Sequence, residues 1–499
     1  MNSPDYIPFS QFIKIDRRKS DAVYLQIVYQ FIQAVQRGLL SDGNKIPGSR
    51  NLCKELGVHR KTIVAALEEL QTQGWVTIKP AVGTFVKNPD FDIKNEDTPS
   101  AHNTAIQNAA FQFRKNIVLD APNQKNLCSY HFTTGKPDYR IIKTSELSRF
   151  YSSALRRKNI IKKIPQYLAS GNPFFQNQLS YYINLTRGFH ISNEHLITSP
   201  NKQTLLYILS QLLIKTGDTV LVATYSYHFS NMVFQQAGAR VATIPIDQEG
   251  ISIDYIIKNF TKEEIKLVYI QPQHQYPTTA CLSNKRRKEL LALAETYHFI
   301  LIEDDPNYEF TFEKAFQVPL IKMKHSGNVI YLGNFGRFLA PGFQTNFMIG
   351  PQDYIKEAKK YLQLFGRMDI VKEQALGEMI YEGDIHRYRR KALTTYLYRR
   401  NLFANLLKES FQKNFTFQMP KGGLAFWIQL QLPISLYLLS ENCKNKELYI
   451  PKTCLYQDKQ ITALRLGFGN FNKTEMEAAL HILKESYQTI TKDKTMVTS

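Results

Sequence analysis

Between Leu196 and Met348, short apolar runs alternate with helical stretches, and this rhythm limits the chain most sharply. Thr219 to Val222, Lys266 to Ile270, Phe299 to Ile302 and Val329 to Leu332 read as buried strands. Strands separated by helices on such a repeat build a mostly parallel α/β sheet covered on its faces. The last third is helix-rich, with a turn at Lys421-Gly422-Gly423 and a strand near Ala463 to Phe468, as in a smaller α+β lobe. At 499 residues the chain exceeds a single core and predicts roughly three or four folding units.

The first 88 residues follow another rhythm. From Tyr24, apolar residues at Ile27, Val28, Phe31, Ile32 and Val35 have amphipathic-helix spacing. Gly38 and the Ser41 to Asn44 cluster end that helix. A second helix follows Pro47-Gly48-Ser49, with Ser49 expected to cap it, Leu52 and Leu56 inward, and a stop at Gly57. A third begins near His59, with Ile63, Leu67 and Leu70 inward and Arg60, Lys61 and Thr62 outward. Trp75 to Ile78 and Thr84 to Val86 read as strands around Pro80 and Gly83. Three helices and a β-hairpin make a winged helix, whose third helix enters the major groove of DNA. Residues 89–128 are polar and aperiodic, a tether with a short helix expected around Thr104 to Arg114.

The net charge of +20 favours a polyanionic partner, nucleic acid or a membrane surface. Residues 1–88 hold twelve basic against seven acidic residues, so charge alone does not locate the DNA site. Five scattered cysteines without a CxxC spacing fit a reducing compartment and argue against a disulfide frame or a zinc site. No signal layout and no apolar run of about 18 residues appear, so the expected location is the cytoplasm, with no membrane role.

The stretch KIPGSRNLCKELGVHRKTIVAALEELQTQGWVTIKPAVGTFV resembles the signature of GntR-family regulators. The resemblance assigns DNA contacts to Arg50, Arg60 and Thr62, with Gly83 and Thr84 at the wing tip, and His59 and Lys61 at the same helix start are further candidates. His59 stands where that family usually has Ser. Phosphate contacts would supply most of the affinity and its salt dependence, and the start of the third helix the sequence choice.

Further along, FTTGKPDYR (132–140), the Arg187-Gly188 helix end, Gly217 to Val220, PQHQYPTTACLS (272–283, with His274), IEDDPNYEF (302–310) and YLGNFGRFLAPGFQTNFMIG (331–350) occur in order. They resemble the landmarks of fold-type-I proteins that bind pyridoxal phosphate, the aminotransferases. With the winged helix they point to the MocR-type branch of GntR regulators. The implied layout is a DNA-binding domain at 1–88, a linker at 89–128 and an aminotransferase-like domain at 129–495. Its large part would be about 190–380 and its small part 129–189 with 381–495.

The resemblance implies pyridoxal phosphate as cofactor, yet covalent attachment is not expected. Arg337 stands where the family has the imine-forming Lys, Gln344 where an Arg clamps the phosphate, and Pro306 where a Tyr bonds the ring hydroxyl. A guanidinium stays protonated and is a poor nucleophile, whereas an ammonium can lose its proton and attack a carbonyl. Pro200-Asn201-Lys202-Gln203 falls at the phosphate turn, and Pro200 lacks an amide hydrogen there. Asp304 keeps the place of the acid facing the ring nitrogen, or is a structural acid ending a strand. Tyr227 is a candidate ring-stacking aromatic or a core tyrosine, and Arg465 matches the Arg that grips a substrate carboxylate. No catalytic residue and no metal ligand are expected.

Three functions follow as alternatives. The first is a homodimeric regulator of double-stranded DNA whose aminotransferase-like part senses a small anionic metabolite between Arg337 and Arg465. The second is a pyridoxal-phosphate-dependent aminotransferase that also binds DNA. The third is a constitutive DNA-binding protein whose large domain only dimerises.

Overall fold

The computed structural model describes residues 9–17, 22–36, 40, 42–80, 82–87, 109, 111–113, 116, 119, 127–158, 162–163, 165–167, 171–313, 318–366, 369–458 and 461–497. The chain forms two compact units, Met1–Phe113 and Arg114–Ser499. Most of the expected tether, with its short helix, lies outside the described residues.

In the first unit, α1 (Val23–Gln36), α2 (Ser49–Leu56) and α3 (Arg60–Thr72) enclose a core of Val28, Phe31, Leu52, Ile63 and Leu70. Three short strands, β1 (Lys45–Ile46), β2 (Val76–Lys79) and β3 (Gly83–Val86), pair antiparallel in the order β1-β3-β2. This is the expected winged helix with one added strand. Ser49 departs from expectation: it is the first helical residue, and the capping position is Gly48, which offers no side-chain acceptor. Gly57 ends α2 at φ 64°, a left-handed turn that suits glycine.

The second unit is built on a seven-stranded sheet. Its strands are β4 (Leu196–Ser199), β5 (Thr219–Ala223), β6 (Arg240–Ile244), β7 (Ile265–Ile270), β8 (Ile300–Asp305), β9 (Val329–Phe335) and β10 (Thr345–Ile349). They lie in the order β4-β10-β9-β8-β7-β5-β6. Only β10 runs against the rest, pairing antiparallel with β9 and β4. The central strands are apolar without alternation because helices cover both faces, and every residue of β5 and β9 is buried. The strand ends Ser199, Ala223, Ile270, Asp305 and Phe335 therefore share one edge, where ligands sit in open α/β sheets.

Helices frame that edge. In chain order they are α4 (Thr144–Arg156), α5 (Pro173–Arg187), α6 (Lys202–Leu213), α7 (His228–Gln236), α8 (Ile253–Asn259), α9 (Asn284–Tyr297), α10 (Gln352–Leu362), α11 (Ile370–Tyr381) and α12 (Asp384–Phe411). A second sheet of four strands holds Phe415–Phe417, Ala425–Leu430, Leu455–Gln457 and Thr462–Gly467. One apolar core joins this sheet and α12 to α4, α5 and α11.

Candidate ligand pocket and nucleic-acid interface

In the first unit, Arg50, His59, Arg60 and Lys61 are exposed, while Thr62, Gly83 and Thr84 are half-buried. Among the described residues, no ion pair or side-chain hydrogen bond engages Arg50, Arg60 or Lys61. His59 caps α3: its Nδ1 accepts the Lys61 amide at 3.3 Å, the task a serine oxygen performs elsewhere. On the wing, the ammonium groups of Lys45 and Lys79 lie 5.9 Å and 5.2 Å from the centre of the Phe85 ring. The sequence reading did not include these two lysines, although basic residues on the hairpin strands signalled them.

In the second unit, the strand-end loops bring the expected residues into two groups. The first surrounds Asp304, the penultimate residue of β8, which is 1 % exposed. Its Oδ2 accepts Lys202 Nζ at 2.7 Å, Gln271 Nε2 at 2.7 Å and the Tyr269 hydroxyl. Its Oδ1 is buried with no hydrogen-bond partner. Lys202 opens α6 on the turn after β4, and its Nζ also sits 4.9 Å from the centre of the Tyr227 ring. Tyr227 precedes α7, its ring 5.5 Å from that of Tyr276. Burial, with Asp304 nearby, pushes the Tyr227 hydroxyl up to about 12.

The second group surrounds the two arginines. Arg337 Nη1 donates to the Pro306 carbonyl at 2.7 Å and to Asn307 Oδ1 at 2.8 Å, and its Nη2 to the Gly135 carbonyl at 3.1 Å. The turn that carries it is held by Glu309, whose carboxylate accepts the Gly336 and Arg337 amides at 2.8 Å and 2.7 Å. Arg465, on the strand Thr462–Gly467, donates to the Thr134 carbonyl at 3.0 Å and the Pro277 carbonyl at 2.6 Å. The two guanidinium groups thus reach adjacent carbonyls of the 132–140 segment. That segment is anchored by Asp138, which pairs with Arg399 at 3.0 Å and Arg140 at 2.8 Å. Burial lowers the affinity of both Arg337 and Arg465 for their protons, while Glu309 beside Arg337 and Tyr276 beside Arg465 act the other way.

His274 is buried, and its Nδ1 has no partner. Burial first, then the charges of Arg287, Arg465 and Lys421, hold its imidazole down at about 3. A side chain at Gly422 would strike the ring, since an added Cβ would lie 2.3 Å from Nε2. Gln344 sits half-buried just before β10, with no hydrogen bond to the other residues of the pocket among the described residues.

Pro306 and Arg337 meet in the pocket. Pro306 has no side-chain donor; its backbone carbonyl, a group that any residue there would offer, accepts from the Arg337 guanidinium and Asn334 Nδ2 at 2.7 Å each. The longer, forked side chain therefore knits three loops where the family's amine would stand free. The resemblance implies pyridoxal phosphate held through an amine. No amine occupies position 337, and the Lys202 amine is bound to Asp304. Gln271, Tyr269, Asn307 and Glu309 were missing from the sequence reading as site residues, and Lys202 stood there only as part of the phosphate turn, without its bond to Asp304. For Lys202 the signal was present, a lysine at a strand-to-helix turn aimed at the sheet edge.

Comparison with known proteins matches residues 23–86 to bacterial regulatory proteins of the gntR family. Residues 126–483 match aminotransferase class I and II, a family whose cofactor is pyridoxal phosphate. The chain is similar to the uncharacterised HTH-type transcriptional regulator YdfD of Bacillus subtilis (strain 168), 24 % identical over 92 % of this chain and 95 % of that protein. It is also similar to the probable rhizopine catabolism regulatory protein MocR of Rhizobium meliloti, 23 % identical over 79 % of each. Among solved structures, the multiple substrate aminotransferase of Thermococcus profundus aligns with a TM-score of 0.64 at 20 % identity, over 73 % of this chain and 92 % of that one. That likeness concerns the fold. Among the described residues no helix is long and apolar enough to cross a membrane.

Proposed function

Because the chain belongs to the class I and II aminotransferase family and carries a gntR-family module at residues 23–86, we propose that it regulates transcription and performs no transamination. The module binds double-stranded DNA. Arg50, Arg60, Lys61 and Thr62 face the duplex, Gly83 and Thr84 form the wing tip, and His59 sets the start of the reading helix. The large domain pairs two copies and senses a small anion, a carboxylate or a phosphorylated metabolite, through Arg337 and Arg465.

One observation carries the reading. The group at the imine position is a guanidinium held by Pro306, Asn307 and Gly135, and it has no amine to offer a carbonyl carbon. Ligand binding shifts DNA binding only if the ligand prefers one of two arrangements of the dimer. The test maps DNA bound by the protein across its own genome, then screens a panel of anions for raised thermal stability and altered affinity for the mapped sites. The reading expects discrete sites and at least one anion that changes both. Absence of sequence-selective DNA binding would contradict it.

A rival reading, an aminotransferase that also binds DNA, draws on Asp304, Arg465 and the Lys202 amine. Steady turnover of an amino acid with a keto acid would establish it.

A further inference from the structure

The pocket is not merely short of the groups that fix a cofactor. One oxygen of its acid, Asp304 Oδ2, already holds a cation, while Oδ1 has no partner. Asp304 faces the edge where a cofactor ring would lie, and Tyr227 is the aromatic against which that ring would stack. Lys202 Nζ stands at both, 2.7 Å from Asp304 Oδ2 and 4.9 Å from the Tyr227 ring centre. We propose that Lys202 is a built-in stand-in for the cationic ring nitrogen, so that this pocket excludes pyridoxal phosphate, bound covalently or not.

Charge and space support this independently. A ring nitrogen is kept protonated by a carboxylate whose charge it balances; here an ammonium already balances that charge. A pyridinium entering beside it would place two cations against one acid. Oδ2 also accepts Tyr269 and Gln271, so the carboxylate is oriented by two neutral donors and neutralised by one charged donor. The lysine side chain is only 16 % exposed, so it belongs to the interior and is not a surface group that swings aside freely. Position 202 supplies the charge from the first residue of α6, whose backbone is fixed by the helix.

This inference rests on the reading of the large domain as non-enzymatic, but its test is separate. Wild-type full-length protein and the variants Lys202→Ala and Lys202→Gln are titrated with pyridoxal phosphate, following quenching of protein fluorescence and cofactor absorbance. Wild type is expected to show no saturable binding. Lys202→Ala, which opens the space and leaves Asp304 available, is expected to bind at least about tenfold more tightly than wild type. Lys202→Gln, which fills the space without charge, is expected to fall between them. Saturable binding by wild type as tight as by Lys202→Ala would overturn the proposal. So would a borohydride-stable adduct on Lys202, because that amine would then be the imine former. If Lys202→Ala does not fold, the wild-type titration and adduct search decide alone. Neither result bears on DNA binding or anion screening, so failure here is distinguishable from failure of the function proposed above.

Discussion

The recognition helix and the pocket of the large unit place their cations in opposite circumstances. At the start of α3, Arg60 and Lys61 are exposed with their side chains unengaged among the described residues. In the pocket, Lys202 is bound to Asp304, Arg337 to three loop acceptors and Arg465 to two carbonyls. A surface that meets a polyanion keeps its charges in water until the partner arrives. In the pocket the buried cations are engaged by neighbouring acceptors, because unpaired buried charges are costly. The same residue types therefore mean different things in the two units, and exposure tells them apart.

The comparison breaks most sharply at the buried pair. Lys202→Met leaves Asp304 buried without its counter-charge and is expected to destabilise the second unit by about 3–5 kcal/mol. Replacing both, as Lys202→Met with Asp304→Leu, is expected to recover most of that loss. Denaturant unfolding followed by probes in each unit checks this, with the transition of the first unit unchanged.

At the DNA surface the expected effect is on binding, not on folding. Arg60→Ala should weaken specific DNA binding by about 1–3 kcal/mol if it reads a base edge. Lys61→Ala should weaken all sequences alike and lower the salt slope by about one if it meets a phosphate. Affinities measured across a salt series separate the two, and thermal stability should not move.

His274 gives a pH signature confined to the second unit. An unfolded imidazole titrates near 6.5, and burial holds the folded one at about 3. Below about 6.5 the unfolded chain takes up a proton that the folded chain refuses, so stability is lost as pH falls through that window. From about pH 7.5 to about pH 5 the loss from this group is about 2 kcal/mol. Glu303, pushed up to about 7 by burial, works the other way, its contribution being present in acid and lost as pH rises from about 4.5 to 7. Comparing wild type with His274→Gln at both pH values isolates the histidine: the stability gap should shrink in acid by about that amount.

The smallest expected effect tests His59. His59→Ala should cost the first unit about 1 kcal/mol, while His59→Ser should cost little because a hydroxyl oxygen restores the cap.

How much of this was legible beforehand differs between the same two regions. The winged helix is a local pattern, so its helices and hairpin followed from residue spacing and turn residues. The two-residue strand β1 was missed because it depends on its partner β3, and the caps were misread: Gly48, not Ser49, precedes α2, and His59 caps α3. In the large unit, the strands Thr219–Ala223, Ile265–Ile270, Ile300–Asp305 and Val329–Phe335 match their apolar runs because full burial removes polar alternation. The substitutions at 306, 337 and 344 were readable one by one. The contacts of Arg337 were not, because Pro306 and Arg337 meet across 31 residues and Arg337 and Gly135 across 202. The pairing of Lys202 escaped for the same reason: Asp304 lies 102 residues further on.

The account stands on the large domain forming no covalent bond to a carbonyl cofactor. Its most direct test is the intact mass of full-length protein incubated with pyridoxal phosphate and reduced with borohydride. The mass should equal that of the untreated chain. A pyridoxyl adduct on any lysine of residues 127–497, located by peptide mapping, would contradict it.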